Sequence, residues 1–418
     1  MASPSRLLFG MLSDKTYTFL KRLLETPGPS GYERDPAGVW RDEARAFADV
    51  SGDVLGNSYA AAGPADGPAI LLAGHVDEIG LIVTHVDEQG FVYVGPVGDF
   101  GWTYQHELAR QALVKEFGDK IETTYLENVP EGPDAERAIE QLVRAGNKLI
   151  FTTSFGYMDP TLKVAKKYPN VHFEHATGYK RDKNMSTYSA RWYQGRYIQG
   201  QIAAKMSKAG VLGYIGSFPI PEVVSGINAT MLGAQSINPN IKVKIIWVNT
   251  WFDPGKEADA AKALLDQGAD IIMQHTDSPA PMQVAAERGK LAFGQDSEMI
   301  KFGPKAQLTS ILDTWAPYYI SRVKAELDGT WKSEDTWGGL DSKMFEMAPY
   351  TNMPDDVKKM AEETQAAITA GKLHPFKCPV VGQDGKEVEC KGGDHLADGQ
   401  ILGMNFYVKG VDDKLPGK

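Results

Sequence analysis

The stretch that decides the fold is Gln89-Gly-Phe-Val-Tyr-Val-Gly-Pro-Val-Gly-Asp-Phe-Gly-Trp-Thr-Tyr-Gln105. The apolar run from Phe91 to Val94 predicts a buried strand, because it is short and ends at a Gly/Pro turn. Asp99 and Trp102 follow that turn at the start of a helical pattern. In open α/β proteins, ligands bind at the carboxyl ends of the strands. The stretch therefore predicts a strand that leads into a ligand-facing loop.

The residues after this stretch alternate between helical and strand-like patterns. One set runs from Asp99 to His175 and a second from Gly210 to Gln295, and this alternation is typical of doubly wound parallel sheets. Residues 187–206, between the two sets, predict one long helix. The pattern indicates an α/β protein with two lobes and a cleft between them.

The predicted domain boundaries follow from this pattern. We expect an amino-terminal segment at 1–90, a first lobe built from 91–208 and 313–418, and a second lobe at 209–312. The chain would then cross between the lobes more than once. Its 418 residues and 42% apolar content are ample for two or three packed cores.

Charge and apolar runs exclude several classes of protein. The net charge of −10 argues against a nucleic-acid partner, because phosphate binding needs clustered Lys and Arg. No run approaches the roughly 18 apolar residues of a spanning helix. Residues 6–12 have too short an apolar core for a signal peptide, and no early cysteine could carry a lipid. As written, the sequence is compatible with the cytoplasm.

The two cysteines suggest a different compartment. Between Cys378 and Cys390, an apolar strand at residues 380–381, a turn at residues 383–385 and a return strand through Val388 predict a hairpin. Folding about the turn places the thiols nearly opposite each other. A cross-strand disulfide, which would indicate an oxidising compartment, and a pair of reduced thiols both fit this pattern.

Residues 14 to about 98 resemble the amino end of the tetrahedral dinuclear-zinc aminopeptidases. The similarity is carried by Leu24-Glu-Thr-Pro-Gly-Pro-Ser-Gly-Tyr-Glu33 and Gly74-His-Val-Asp-Glu-Ile-Gly-Leu-Ile-Val83. The resemblance implies that His75 would bind zinc and Asp77 would orient it. The other ligands and the general base of that family are missing, and one histidine cannot hold two zinc ions. We therefore expect no metal site and no enzymatic activity, with an incomplete zinc hydrolase as the alternative.

Residues 91 to about 410 resemble the basic membrane protein (BMP) family, the purine or nucleoside receptors of ABC importers. The matching segments are Gly98 to Thr103, Thr153 to Met158, Phe173 to Gly178, Gly195 to Gly200, Ile220 to Val224, His275 to Pro279 and Phe293 to Ser297. The resemblance implies a type I periplasmic-binding-protein fold and the membrane subunits of an importer as partners. It also implies a monomer in the periplasm or at the cell surface, with no cofactor.

Candidate ligand-binding residues lie where predicted strands end. A purine needs aromatic faces for stacking and polar groups at its edge. The candidates are the aromatic residues Trp102, Phe155, Tyr157 and Trp315 and the carboxylates Asp99, Asp277 and Asp296. Ordinary core packing is the alternative for the aromatic residues. Helix capping or a turn is the alternative for the carboxylates, and for Asp99 above all. By resemblance, Trp102 takes the stacking position and Asp296 the ribose- or base-binding position.

One departure from the family bears on the ligand. Nucleoside-binding members carry a lysine just after the Leu-Thr-Ser strand, where it bonds the ribose hydroxyls. Here Leu308-Thr-Ser-Ile-Leu312 is followed by Asp313 and then by Trp315. This difference favours a free base such as adenine, or another small planar ligand, over a nucleoside. The segment from Tyr188 to Tyr197 is rich in aromatic residues, and Trp192, Arg196 and Gln199 share one helical face, which indicates packing between the lobes.

Overall fold

The computed structural model describes residues 13–26, 34–52, 57–63 and 89–417. The chain divides into two compact units, Met1–His85 and Val86–Lys418. His75 and Asp77, the predicted match to a zinc-site motif, lie outside the described residues.

The amino-terminal unit contains two helices and a small antiparallel sheet. Helix α1 (Asp14–Glu25) begins at Ser13, whose hydroxyl accepts a hydrogen bond from the Thr16 amide, and helix α2 is Arg34–Ala44. Strands β1 (Asp49–Gly52) and β2 (Ser58–Ala61) pair antiparallel.

The second unit contains the alternating elements. Its strands are β3 (Gln89–Val92), β4 (Thr123–Leu126), β5 (Leu149–Thr152), β6 (His172–Ala176), β7 (Met185–Ala190), β8 (Val211–Gly216), β9 (Lys242–Trp247), β10 (Ile271–His275), β11 (Leu291–Gly294), β12 (Gln307–Asp313), β13 (Asp335–Gly338), β14 (Phe345–Met347), β15 (Val380–Val381) and β16 (Glu387–Val388). Its α-helices are α3 (Trp102–Phe117), α4 (Pro133–Arg144), α5 (Met158–Lys167), α6 (Tyr193–Met206), α7 (Pro221–Gln235), α8 (Pro254–Asp266), α9 (Ala280–Glu287), α10 (Trp315–Leu327), α11 (Asp355–Thr369) and α12 (Asp398–Leu402).

Two six-stranded sheets organise this unit into two lobes. The sheet of the first lobe has the order β13-β7-β6-β5-β3-β4, and all of its pairs are parallel. The sheet of the second lobe has the order β14-β12-β11-β10-β8-β9, and only the edge strand β14 runs antiparallel. Buried apolar residues pack on both faces of these sheets, as parallel sheets require. The predicted doubly wound α/β architecture is confirmed.

The predicted helix over residues 187–206 is only partly correct. Residues 185–190 form strand β7, and the helix α6 begins at Tyr193. Strand β7 lies inside the sheet, with β6 on one side and β13 on the other. Pairing with both neighbours, together with the β-favouring residues Thr187 and Tyr188, outweighs a helical periodicity that continues across Arg191.

Three connections join the lobes. They are residues 190–193 between β7 and α6, residues 313–315 between β12 and α10, and residues 338–345 between β13 and β14. The structure differs from the expected boundaries, which assigned all of 313–418 to the first lobe. Only α10 and β13 return there.

The later segments pack on the second lobe. Strand β14 pairs with β12, Thr364 of α11 donates to the side chain of Gln201 on α6, and Val411 forms a bridge with Val243 of β9. Residues near the end of the chain thus complete hydrogen bonds of the second sheet and its helices.

The cysteine hairpin is confirmed. Strands β15 and β16 pair antiparallel, with Val380 opposite Val388. Cys378 and Cys390 form a disulfide whose Cα atoms lie 6.5 Å apart. Of the two interpretations left open by the sequence, the structure has the cross-strand disulfide.

Candidate ligand-binding cleft

The cleft between the two lobes lies at the carboxyl ends of their strands. The space between its lining residues, including the part open to solvent, is about 350 Å³. The lining residues are Val94, Trp102, Ser154, Phe155 and Thr177 from the first lobe and Glu222, Trp251, His275, Asp277 and Asp296 from the second. This is the edge at which open α/β sheets bind ligands.

The lobes touch each other directly beside the cleft. A Cβ atom at Gly101 would overlap the backbone of Asp277, so only glycine permits this approach. The Ser297 hydroxyl donates to the Phe100 carbonyl oxygen, and Lys301 Nζ lies 3.8 Å from the centroid of the Phe100 ring. The loop before α3 therefore contacts the second lobe in this arrangement.

Trp102 forms an aromatic wall of the cleft. It is the first residue of α3, and its indole N–H donates to the Thr153 carbonyl oxygen at 2.6 Å. The Trp315 ring meets it edge-on, with centroids 5.5 Å apart. The indole is therefore held in place by the first lobe while part of the side chain faces the cleft. Phe155, which follows β5, adds a second half-buried ring to the same lobe.

Three of the seven predicted residues do not line the cleft. The Asp99 carboxylate accepts hydrogen bonds at 2.9 Å from the backbone N–H groups of Gly101, Thr103 and Tyr104, which is the capping alternative. Tyr157 is fully buried and donates to the Val129 carbonyl oxygen at 2.5 Å. Trp315, 1% exposed, packs behind Trp102.

Two of the predicted carboxylates lie in the cleft wall of the second lobe. Asp277 is 4% exposed and Asp296 is 2% exposed. Among the described residues, the Asp277 carboxylate has no hydrogen-bond partner. Burial, together with the neighbouring carboxylates Asp99 and Asp296, raises the pKa of Asp277 well above its usual range. Burial likewise raises the pKa of Asp296 to about 8. The cleft therefore concentrates acidic groups that a solute with N–H donors would stabilise in their ionised form.

Asp313 lies beneath the cleft at a connection between the lobes. Its Oδ1 accepts from the indole N–H of Trp192 at 2.6 Å. This hydrogen bond joins the connection at residues 190–193 to the connection at residues 313–315. Within the described part of the chain its Oδ2 has no partner. Burial and the nearby Asp296 raise the pKa of Asp313 well above its usual range.

The sequence interpretation missed several lining residues, chiefly Glu222 and His275. His275 Nε2 and Glu222 Oε1 are 3.2 Å apart, and burial lowers the pKa of His275, so the imidazole is neutral at pH 7. Its Nδ1 has no partner among the described residues. The available signal was position, because His275 ends β10 two residues before Asp277, and Glu222 is the second residue of α7. Trp251 and Thr177 likewise follow strands β9 and β6.

The described residues contain no group of three or more His, Cys, Asp or Glu side chains that could hold a metal ion. In the same ranges, none of the helices has the length and apolar character to cross a membrane.

Comparison with known proteins identifies relatives of this unit. Residues 87–372 match the family model described as "Bmp: ABC transporter substrate-binding protein PnrA-like". A purine-binding protein of Brucella abortus is 67% identical over 335 residues, which cover 79% of this chain and 95% of the relative. A Haloferax volcanii protein, provisionally named an ABC transporter glucose-binding protein, is 36% identical over 329 residues, covering 78% of this chain and 80% of the relative.

Solved structures agree on the fold. A solute-binding protein of an ABC transporter from Aeropyrum pernix superposes with a TM-score of 0.61 at 19% identity, covering 70% of this chain and 93% of that one. A similar protein from Conexibacter woesei superposes with a TM-score of 0.55 at 20% identity, covering 68% and 97%. The bilobed α/β fold with parallel sheets is that of periplasmic binding proteins. The family match and the two-thirds identity to a relative covered almost in full show that this chain belongs to the PnrA-like (BMP) family of ABC transporter substrate-binding proteins.

Proposed function

We propose that this chain captures a purine, and a free base in preference to a nucleoside, by closing its two lobes around the ring. One observation carries the proposal. The cleft sets the aromatic side chains Trp102 and Phe155 of one lobe opposite the buried carboxylates Asp277 and Asp296 of the other. A purine is a flat ring with N–H donors on its edge, and such a site matches both features.

Four of the lining residues have distinct roles in this proposal. Trp102 stacks on the ring, and its Thr153 hydrogen bond keeps the indole in place before the solute arrives. Asp277 and Asp296 accept N–H groups of the purine edge. His275 Nδ1, which has no partner among the described residues, supplies a further acceptor. Closure of the lobes removes water, which strengthens these polar contacts.

The preference for a base rests on the residues after β12. At the position where nucleoside-binding relatives carry a ribose-binding lysine, Asp313 is 3% exposed and accepts from Trp192. Trp315 is packed against Trp102 and the His106 ring. Neither side chain lines the cleft, so the site as built fits a ring without a ribose.

Asp99, Tyr157 and Trp315 support the site without lining it. Asp99 holds the first turn of α3 and thereby places Trp102. Trp315 packs behind the same indole. The proposed contacts to the solute are therefore made by Trp102, Phe155, His275, Asp277 and Asp296.

The partners follow from the family. We infer that the loaded protein, a monomer, delivers its solute to the membrane subunits of an ABC importer, in the periplasm or at the cell surface. The disulfide between Cys378 and Cys390 supports an oxidising compartment. Neither the acidic charge of −10 nor the cleft suits a nucleic acid.

The amino-terminal segment has a separate status. The family match begins at residue 87, and the aminopeptidase resemblance of residues 14–98 rests on sequence motifs alone. We propose that this segment contributes no enzymatic step. Metal analysis of the full chain, together with a peptide hydrolysis assay, tests this proposal. Stoichiometric zinc with hydrolysis that Asp77→Ala abolishes would favour the zinc hydrolase instead.

A solute panel tests the main proposal. Thermal shift and calorimetry should be run with adenine, guanine, hypoxanthine, adenosine, guanosine and inosine, and with glucose because of the name given to the 36% identical relative. A tight ligand raises the melting temperature by mass action. We expect at least one base to bind more tightly than its nucleoside. Binding of glucose without binding of any purine would overturn the proposal.

A further inference from the structure

Arg196 lies behind the cleft rather than in its wall. It belongs to α6, is fully buried and is not among the lining residues. Its Nη2 donates to the Gln274 carbonyl oxygen at 2.7 Å and also to the Gln295 side-chain oxygen. Its Nη1 donates to the side-chain oxygen of Gln199 at 3.1 Å. No carboxylate of the described residues pairs with it directly. A buried charge without a direct counter-ion is unfavourable, so ion pairing does not explain why Arg196 is buried here.

Gln295 connects this guanidinium to Asp296. A guanidinium only donates hydrogen bonds, so the side-chain oxygen of Gln295 must face Arg196. The NH₂ group of the same amide must then face away from Arg196, and it donates to Oδ1 of Asp296. Arg196 therefore determines that the NH₂ group of Gln295, rather than its oxygen, faces the carboxylate of Asp296. A donor at this position favours the ionised carboxylate over the neutral acid.

The other charged neighbours of Asp296 are acidic. They lie on the loop before α3, on α7, after β10 and at the end of β12, and they are Asp99, Glu222, Asp277 and Asp313. His275, beside Glu222, is neutral because burial lowers its pKa. Burial of Asp296 raises its pKa to about 8, and Asp99 and Glu222 add to the rise while Arg196 and Gln295 oppose it. Among the described residues, Arg196 is the cation that opposes this rise in the pKa of Asp296.

The backbone leaves Asp296 little freedom to turn away. It adopts a positive φ of 60°, and its carbonyl oxygen accepts from the Asp313 amide at 2.8 Å. The side chain thus begins from a constrained position between Gln295 and the cleft. Its charge state, rather than its place, is what the surrounding groups can change.

We propose that Arg196 is a positioning residue for solute binding, which acts through the Gln295 amide to favour the ionised form of Asp296 as a hydrogen-bond acceptor for the solute. This inference rests on the proposed function, because it assumes a solute that donates N–H groups to Asp296. Arg196 itself makes no contact with the solute. The prediction is therefore specific, since a change at a residue outside the cleft should alter how binding depends on pH.

The pH dependence has a defined direction. A solute that donates to the carboxylate binds the ionised form, so its affinity is constant above the pKa of Asp296 and falls by about tenfold per pH unit below it. Without Arg196 that pKa rises further. The pH at which affinity begins to fall therefore moves upward, and at pH 7 the affinity becomes lower.

The experiment measures affinity for the tightest base of the panel from pH 5.5 to 9.5 in the wild type and in two variants. Arg196→Gln removes the charge and keeps a hydrogen-bonding side chain. Gln295→Met keeps the length of the side chain and removes the relay. We expect the midpoint to rise by about one pH unit or more in the first variant and by less in the second. If Arg196→Gln does not fold, Gln295→Met carries the test.

Two results would overturn the inference. One is a wild-type affinity that depends on pH while both variants keep the same midpoint. The other is an affinity that falls as pH rises through this range, which would mean that Asp296 is bound as the neutral acid.

A direct titration separates this inference from the proposed function. In ¹³C-aspartate-labelled protein without solute, the resonance that disappears in Asp296→Asn is followed against pH in the wild type and in Arg196→Gln. An upward shift supports the role of Arg196 even if no purine binds. An unchanged titration contradicts that role even if purines bind. Arg322→Gln, which removes a buried arginine of the first lobe, is the matched control and should leave the Asp296 titration unchanged.

Discussion

The two lobes each bury an arginine, and they treat it differently. In the first lobe, Arg322 meets the buried carboxylate of Glu174 directly, with Nε 2.5 Å from Oε1. In the second lobe, Arg196 reaches the carboxylate of Asp296 only through the amide of Gln295. We call Arg322 and Glu174 the closed pair, because their charges are paired directly within the chain. We call Arg196, Gln295, Asp296 and the neighbouring Asp277 the open cluster, because its carboxylates have no direct ion pair within the described residues and line the cleft.

The remaining hydrogen bonds extend this contrast. Glu174 also accepts from the Tyr318 hydroxyl and from the Trp331 indole, both at 2.7 Å. In the cleft wall of the second lobe, His275 Nδ1 and Trp251 Nε1 remain without partners among the described residues. Buried polar groups are normally satisfied. The satisfied cluster stabilises the fold, and the unsatisfied one is where a solute can complete the hydrogen bonding.

The largest effect should come from breaking the closed pair. Arg322→Met leaves Glu174 buried without its counter-charge, and removing one partner of a buried ion pair costs about 3–5 kcal/mol. We expect a large drop in the free energy of unfolding, measured by chemical denaturation. The solute affinity of the folded fraction should not change. Arg144→Met, which removes an exposed pair with Glu140, is the control and should barely alter stability. A loss of affinity in Arg322→Met without a loss of stability would contradict the comparison.

Removing a carboxylate from the open cluster should raise stability and weaken solute binding. Asp277 ionises less readily in the folded chain than in the unfolded chain, because burial and the neighbouring carboxylates raise its pKa. This difference lowers stability at pH 7, so Asp277→Asn should raise the free energy of unfolding by about 1 kcal/mol. The same change replaces an acceptor of the purine edge by an amide, and hydrogen bonds to charged groups contribute about 1.5–3 kcal/mol. Calorimetry should therefore show weaker binding in a more stable protein. If binding is unchanged, Asp277 is not a solute contact.

The aromatic wall should contribute somewhat less. Stacking of a base on an aromatic side chain contributes about 1–3 kcal/mol, and Trp102→Ala should lose about that much affinity for the base. Trp102→Phe keeps a ring but loses the hydrogen bond to Thr153, so its affinity should be intermediate. Trp331→Phe is the matched control in the first lobe, because it removes a donor to Glu174. It should lower stability and leave affinity unchanged.

Much of the fold and part of the cleft could be predicted from the sequence. The alternation after Asp99 predicted both parallel sheets, because helix and strand periodicities differ clearly in that region. The carboxyl ends of the strands also predicted where the cleft would lie. Trp102, Phe155, Asp277 and Asp296 were named on that ground, and all four line the cleft.

The direction of each side chain was beyond the same reasoning. Asp99 and Asp277 both follow strands, yet Asp99 caps α3 and Asp277 faces the cleft. At a strand end, a change of one residue in position or a positive φ such as that of Asp296 turns a side chain to another face. Strand β7 was missed for a related reason, because its identity depends on pairing with the distant β13.

The smallest effect is a proton released on binding. In the protein without solute, Asp296 has a pKa of about 8, raised mainly by burial, so at pH 7 it is largely protonated. A purine that donates N–H groups to Asp296 favours the ionised form and lowers this pKa. Binding should then release up to one proton, and affinity should rise with pH by at most about 1.4 kcal/mol per unit.

Calorimetry in two buffers of different ionisation enthalpy at pH 7 measures the number of protons released. Asp296→Asn should reduce this number, whereas Glu174→Gln should not, because the Glu174 hydrogen bonds are already complete within the first lobe. Proton uptake on binding would mean that the open cluster binds its solute in the neutral form, and the contrast between the two buried arginines would then concern stability alone.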